Sequence, residues 1–261
     1  MADALYWASG ALSGGLVGFV LGLIGGGGSI LAVPLMVYVV GVTNPHTAIG
    51  TSALAVAANA LAGLANHARA GTVKWLCGVT FALAGIAGAA AGSTLGKTVD
   101  GQALLLVFAM LIIVIGVLML RSTGTRDNTQ VHLDRQNAPW LLASGVGTGA
   151  VSGLFGIGGG FLIVPALLAA TRMPMINAVG TSLVAVSAFG LTTAANYAVS
   201  GLVDWWLAGI FVAGGLIGSV AGSALARRLS STDALRRIFA GIVLVVGSYM
   251  LWQSWSALSA R

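Results

Sequence analysis

Long apolar stretches separated by short polar loops run along the whole chain. No charged residue lies between Asp3 and Arg69, and comparable gaps recur as far as the last residue. Ten apolar segments can be delimited: 5–24, 29–41, 46–66, 75–96, 102–120, 140–155, 160–171, 175–198, 205–226 and 236–256. Most of these segments are close to the length of about 20 residues that a helix needs to span a bilayer. Because no segment alternates with a period of two, the pattern predicts an all-α polytopic membrane protein and not a β-barrel.

The second segment of each half is shorter than the hydrocarbon core, and the sequence leaves open whether it spans the membrane fully. At about 1.5 Å per residue, segments 29–41 and 160–171 reach only about 20 Å, whereas the hydrocarbon core is about 30 Å thick. Each of them follows a glycine-rich run directly. The sequence therefore predicts short re-entrant or broken helices at these glycine turns.

The chain contains an internal repeat with an offset of about 130 residues. Equivalent positions follow in the same order through both halves: Gly14 with Gly145, Pro34 with Pro165, Gly50-Thr51-Ser52 with Gly180-Thr181-Ser182, Asn66 with Asn196, and Phe108 with Phe239. We expect residues 1–120 to form a first membrane repeat, residues 121–138 a polar cytoplasmic linker and residues 139–261 a second membrane repeat.

The distribution of basic residues indicates how the two repeats face. Lys and Arg concentrate on the cytoplasmic side of membrane proteins. Parallel repeats would put six of the 12 basic residues on each side, whereas inverted repeats put ten on one side and leave only Lys97 and Arg261 on the other. The sequence therefore predicts two inverted five-segment repeats with both termini outside. Inverted repeats that are interrupted at matching positions are typical of secondary transporters.

Composition narrows the class of protein further. Of the 261 residues, 57% are hydrophobic and 7% are charged, whereas soluble domains carry about 25% charged residues. These values exclude an ordinary soluble domain, a disordered chain and a nucleic-acid binder. All six acidic residues are Asp and lie near chain ends, in loops or in the linker, so no acidic proton relay is expected within the membrane. Because metal-ligand spacings and catalytic triads are missing as well, we expect no enzymatic activity, no metal and no cofactor.

The glycine runs are the first candidates for binding chemistry. Four glycines in succession, at 25–28, are costly in a helix but suit an unwound turn beside a cavity. The following helix would direct its free N–H groups at this turn, with Ser29 as its cap, and such a turn binds an anion without a charged side chain. The alternative is close helix packing, which the spacing of Gly14, Gly18 and Gly22 also predicts. The candidates are Gly26, Gly27, Gly28 and Ser29 and, in the second repeat, Gly158, Gly159 and Gly160.

Polar side chains within apolar segments form the second group of candidates. Four hydroxyls early in the third segment of each repeat can donate to an oxyanion, or can bond back to a carbonyl of the preceding turn. Three amides need partners inside the membrane, for which helix–helix bonding is the default and substrate contact the alternative. The hydroxyls belong to Thr51, Ser52, Thr181 and Ser182, and the amides to Asn59, Asn66 and Asn196.

The order of these motifs resembles the TauE/SafE family of sulfite exporters. The resemblance covers about residues 10–256 and implies a small bacterial-type inner-membrane transporter that exports sulfur-containing anions such as sulfite, sulfoacetate or related organosulfonates. The copies differ at one position, where Gly160 replaces Ser29, so the two halves can contribute unequally. The motifs that carry the resemblance are the glycines at 25–28 with Ser29, Pro34 and Gly50-Thr51-Ser52, and the glycines at 156–160 with Pro165 and Gly180-Thr181-Ser182.

Together these observations predict a secondary transporter that holds a small anion near the midplane of the lipid bilayer, between its two repeats. A passive channel for anions or small solutes, lined by the same turns and hydroxyls, is the first alternative. A membrane subunit that only holds a partner through the linker 121–138 is the second. The sequence leaves open which anion is moved, which ion is coupled to it and whether the protein forms a homodimer.

The predicted orientation can be checked with terminal epitope tags. We expect tags at both ends to react with an impermeant antibody on spheroplasts, because the ten basic residues hold the linker side in the cytoplasm. A tag that becomes reactive only after the membrane is permeabilised would contradict this orientation. A cytoplasmic protein carrying the same tag controls for lysis.

Overall fold

The computed structural model describes residues 2–24, 26–121, 138–171, 173–228 and 232–259, and within them every regular element is helical. The helices lie within a few residues of the predicted segments. The linker at 122–137 lies outside the described residues. The α-helices are α1 Ala2–Ile24, α2 Ala32–Leu35, α3 Pro45–Arg69, α4 Trp75–Thr98, α5 Gly101–Arg121, α6 Ala138–Phe155, α7 Gly160–Thr171, α8 Met175–Val199, α9 Trp205–Arg228 and α10 Thr232–Ser259.

The described helices have the length and surface of a multi-pass membrane protein. Six of them, α1, α3, α4, α5, α8 and α9, are long and apolar enough to cross a bilayer. Large apolar side chains such as Leu12, Leu83 and Ile217 are exposed on their outer faces. All seven tryptophans are at least 37% exposed and lie near helix ends, where aromatic side chains favour the membrane–water interface.

The two short segments differ in their backbone. The first runs from a 3₁₀-helix, Gly26–Leu31, through α2 into a π-helix, Met36–Val40, so it is broken as predicted. The second, α7, is one α-helix of 12 residues that continues past Pro165. Proline removes only one helical bond there, and the glycines of this repeat lie before the helix, in the loop after α6.

The glycine ladders join helices from opposite halves of the chain. Gly14, Gly18 and Gly22 of α1 face Phe211, Gly215 and Ser219 of α9 in the same order, so these helices run parallel and touch backbone to backbone. The equivalent pair is α4 and α6, where Gly88 and Gly92 face Val146 and Ala150. The predicted packing role of these glycines is confirmed, because a side chain at any of them would overlap the neighbouring backbone.

Helices that are equivalent in the repeat also pack against each other. Gly50 of α3 contacts Tyr197 of α8, and further along α3 Gly63 lies next to Leu183, so residue numbers rise on one helix as they fall on the other. Helices α5 and α10 pair in the same way, with Gly116 against Leu244 and Gly247 against Ile113. Both pairs are antiparallel, and the α3/α8 pair forms the centre of the bundle.

A methyl group at the α1/α9 contact tests the backbone-to-backbone packing. We expect Gly18→Ala to lower the free energy of unfolding by about 2 kcal/mol, because its Cβ would overlap the carbonyl of Gly215 and push the helices apart. Cys77, the one cysteine of the chain, is 4% exposed, so its labelling by a thiol-reactive dye reports thermal unfolding.

The matched controls are Gly147→Ala and Gly209→Ala, at helical positions with open space around the added methyl group. They should unfold at the wild-type temperature or above it, because alanine stabilises a helix by about 0.5–1 kcal/mol relative to glycine. Equal unfolding temperatures for Gly18→Ala and Gly209→Ala would contradict the proposed contact.

Candidate anion site at the glycine turns

The loop between α6 and α7 is built from glycines in a left-handed conformation. The φ angles are 66° at Gly156, 64° at Gly158 and 67° at Gly159. A residue with a side chain costs about 1–2 kcal/mol in this region, so the backbone itself accounts for the glycines. Successive amides in such a turn point toward one side and form a concave nest that favours anions.

The amides of this turn are short of acceptors. The N–H of Gly156 donates to Ser152 O at 2.9 Å, and those of Leu162 and Ile163 both donate to Gly159 O, at 2.8 and 2.9 Å. Within the described part of the chain, the backbone N–H groups of residues 157–161 have no hydrogen-bond acceptor, although all of these residues are buried. Buried backbone donors are almost always paired, so this row of free N–H groups is the strongest sign of a ligand site in the described residues.

The turn lies at the centre of the molecule. A Cβ on Gly158 would lie 2.9 Å from the Cγ1 atoms of both Val56 and Val186, which are equivalent residues of α3 and α8. The 3₁₀-helix Gly26–Leu31 packs against α7, so the structure brings the two predicted glycine segments together.

The first glycine segment has a different geometry from the predicted one. Gly26, Gly27, Gly28 and Ser29 belong to the 3₁₀-helix, and Gly25 lies outside the described residues. The position before α2 is Leu31, which makes no side-chain cap, so the prediction that Ser29 caps the next helix is wrong. The glycines coil into a helical turn and leave Ser29 inside it, fully buried.

The two threonines of the Gly-Thr-Ser motifs hold the starts of other helices. Thr51 Oγ1 accepts from the N–H of Asp204 at 3.0 Å, immediately before α9. Thr181 Oγ1 accepts from the N–H of Lys74 at 2.9 Å, immediately before α4. The two bonds are equivalent in the repeat, and each satisfies a backbone donor at a helix N-terminus.

The two serines of these motifs have different partners. Ser52 Oγ lies 2.9 Å from Ile49 O and 3.2 Å from Gly156 O, so its hydroxyl links α3 to the second glycine turn. Ser182 donates to Val179 O at 2.8 Å, within its own helix. Of the four hydroxyls, Ser52 is the one that bonds to a glycine turn within the described residues.

The three predicted amides have three different environments. Asn196 joins α8 to α4, donating to Ser93 Oγ at 2.6 Å and to Thr94 Oγ1 at 2.9 Å, which confirms the helix–helix interpretation for this residue. Asn66 is exposed. Asn59 is 1% exposed and packs on Gly215, and neither atom of its amide has a partner among the described residues.

Sequence analysis missed Ser152. Its side chain is fully buried, and its hydroxyl has no partner in the described part of the chain. A Cβ on Gly159 would lie 3.1 Å from Ser152 Oγ, which places this hydroxyl against the glycine turn. The equivalent residue of the first repeat is Leu21, so a polar residue at an otherwise apolar position was the available signal.

The chemistry of this centre is that of neutral hydrogen-bond donors. The described residues contain no group of His, Cys, Asp or Glu that could hold a metal ion. The turn can therefore bind an oxyanion through backbone N–H groups and hydroxyls, with its charge offset by oriented dipoles.

Comparison with known proteins identifies the family. The family model described as sulfite exporter TauE/SafE matches residues 10–250. The chain belongs to the TauE/SafE family. It is therefore a multi-pass membrane transporter, in agreement with the spans described above.

Relatives of this TauE/SafE transporter carry similar names. A probable membrane transporter protein of Xylella fastidiosa (strain 9a5c) is 55% identical over 250 residues, which cover 95% of this chain and 96% of the relative. The probable membrane transporter protein YunE of Bacillus subtilis (strain 168) is 27% identical over 259 residues, covering 91% and 94%. YjnA of the same organism is 31% identical over 249 residues, covering 90% and 96%. No solved structure matches the chain.

The threonine bonds of this TauE/SafE transporter predict stability effects. We expect Thr51→Val and Thr181→Val each to lower the free energy of unfolding by about 1 kcal/mol, because each leaves a helix-start N–H without its acceptor. Thr51→Ser and Thr181→Ser should restore most of this loss, as measured by Cys77 labelling on heating.

Thr98→Val is the matched control, because its exposed hydroxyl donates only to Leu95 O of its own helix. If Thr51→Val and Thr181→Val unfold at the same temperature as Thr98→Val, the two hydroxyls do not hold the helix starts.

Proposed function

We propose that this transporter exports small sulfur-containing anions, such as sulfite, sulfoacetate or related organosulfonates, across a bacterial-type inner membrane. The family description supports the sulfur anion, while the names of the relatives go no further than membrane transporter. The observation that carries the proposal is the row of buried amides at 157–161 without an acceptor in the described residues.

A sulfur oxyanion suits this turn chemically. Its oxygens accept several hydrogen bonds at once, which the amides of Gly158, Gly159 and Gly160 and the hydroxyl of Ser152 would donate, while Ser52 would hold the turn through the carbonyl of Gly156. The 3₁₀-helix with Gly26, Gly27, Gly28 and Ser29 would form the opposite wall. Since neutral donors bind an anion less tightly than an arginine pair would, the anion can also be released.

The remaining predicted hydroxyls would position this site. Thr51 and Thr181 fix the starts of α9 and α4, and Ser182 is bonded within α8. We assign them to the residues that support the site, together with Ser52, which is bonded to Gly156 O, and we reserve direct contact with the anion for the turn and Ser152.

The site would lie between two inverted repeats, residues 1–120 and 139–261, joined by the linker 121–138, and transport would open it alternately to either side. The antiparallel contacts of α3 with α8 and of α5 with α10 support this inversion, because each pair consists of equivalent helices. Ser29, Thr51, Ser52, Ser152, Thr181 and Ser182 are all fully buried. This closed arrangement favours a carrier that alternately opens to either side over a channel with an open pore.

The substrate class can be tested on purified protein. We expect sulfite and sulfoacetate to raise the unfolding temperature and to exchange across proteoliposomes saturably, while acetate and chloride do neither. Stabilisation by carboxylates alone would contradict the substrate class, and an ohmic current would favour the channel.

The site itself can be tested at Gly158. We expect Gly158→Ala to reduce sulfite exchange about tenfold or more, because the strained backbone and the contacts with Val56 and Val186 would misalign the amides. Gly201→Ala is the matched control, since Gly201 has a φ of 69° and open space around it. Exchange by Gly158→Ala at the rate of Gly201→Ala, at equal membrane levels, would refute the site.

A further inference from the structure

A second group of unpartnered polar atoms lies at one end of the bundle, beside Tyr197. This tyrosine is fully buried, and its hydroxyl has no partner among the described residues. His46 Nδ1 is buried and unpartnered in the same way, and the two rings are 6.5 Å apart between centroids with an interplanar angle of 32°. Two buried polar atoms side by side without hydrogen-bond partners call for a ligand, as at the glycine turn.

A cation lies next to this pair. Lys97 Nζ is 6.0 Å from the centre of the Tyr197 ring. It donates to Asn196 Oδ1 at 2.7 Å, to Ser200 Oγ at 2.9 Å and to Asn196 O at 3.1 Å. Because all three acceptors are neutral, the ammonium group is held in place while its positive charge is not cancelled by these bonds.

Tyr197 also connects this group to the central turn. A Cβ on Gly96 would lie 3.1 Å from the Tyr197 hydroxyl and 2.9 Å from Leu154 O, two residues before Gly156. On its other side the ring packs on Gly50, which lies two residues before Ser52. Ser52 in turn donates to Gly156 O, so the segment from Gly50 to Ser52 connects Tyr197 to the glycine turn.

The same end of the molecule opens to a cleft of about 380 Å³. Thr43 and Gln102 line it. Thr43 lies three residues before His46, and a Cβ on Gly101, the residue before Gln102, would lie 3.0 Å from Pro45, the residue before His46. The cleft therefore lies beside the start of α3, at the end of the bundle where His46 and Tyr197 also lie.

The opposite end has a different arrangement at the equivalent position. His67 takes the place of Tyr197 in the repeat, and its Nδ1 is bonded to Thr72 Oγ1 at 2.8 Å. The Tyr197 hydroxyl therefore has no partner among the described residues, whereas the equivalent side chain, His67, is hydrogen-bonded. The two ends of the bundle differ chemically for this reason.

We propose that Lys97, Tyr197 and His46 form an outer binding station for the transported anion, between the cleft and the central turn, with the Tyr197 ring as the barrier that separates them. The proposal rests on the proposed function, since the anion at this station is the same oxyanion. In the predicted orientation Lys97 faces the outside, so the station would be the last before release.

Exchange kinetics of [³⁵S]sulfite in proteoliposomes test the station. Lys97→Gln should raise KM about fivefold, because it removes the positive charge beside the anion, and Tyr197→Phe about threefold, because it removes a hydrogen-bond donor; both leave the central turn intact. Arg69→Gln removes an exposed charge at the far end of α3, and Tyr249→Phe removes an exposed hydroxyl, so both should keep the wild-type KM.

A second readout does not depend on turnover. In a Cys77→Ser background, the single cysteine of His46→Cys should react with an impermeant methanethiosulfonate reagent, and sulfoacetate should slow this reaction. Wild-type KM values for Lys97→Gln and Tyr197→Phe, or labelling that sulfoacetate does not change, would overturn the station while leaving the proposed function intact. If the wild-type protein exchanges no sulfur anion, the proposed function falls, and this inference falls with it.

Discussion

Backbone amides without acceptors can persist at membrane depth only where protein encloses them, and the rest of this structure follows from that constraint. Lipid offers no hydrogen-bond partner, so an irregular turn such as 156–160 must be shielded on all sides. The shield consists of α3 and α8, which meet at Val56 and Val186 around Gly158. The glycine ladders hold the surrounding helices together, since they bring α1 against α9 and α4 against α6 backbone to backbone.

The two repeats share a set of equivalent hydrogen bonds, and they differ at the buried polar atoms that have no partner in the described residues. Thr51 and Thr181 accept equivalent hydrogen bonds from the backbone N–H groups of Asp204 and Lys74, and each bond fixes the start of a helix. The polar atoms without partners in the described residues break the equivalence. Ser152 stands where the first repeat has Leu21, and Tyr197 stands where it has His67. These differences make the two repeats chemically distinct.

Much of the architecture could be predicted from the sequence, because apolar length and the repeat are local properties of the chain. The segment limits, the broken first segment and the packing role of Gly14 and Gly18 follow from them. Which helices pack against each other could not be predicted, because a glycine spacing shows that a helix packs closely but does not show which helix it contacts. For this reason the role of Thr51 at the start of α9 became visible only in three dimensions. Ser152 is an intermediate case, since a comparison of the two halves position by position would have singled it out.

The pairing of α1 with α9, and of α4 with α6, has a consequence for biogenesis. Gly14, Gly18 and Gly22 form a groove on α1 that stays without its partner until most of the chain has been synthesised, because Gly215 lies in the ninth helix. Neither half of the chain can form all of its close helix contacts alone, since α1 packs on α9 and α4 packs on α6. Assembly is therefore a late event in which two interlocked halves close together, and a ribosome that stops after the first half leaves an inserted but unfinished protein.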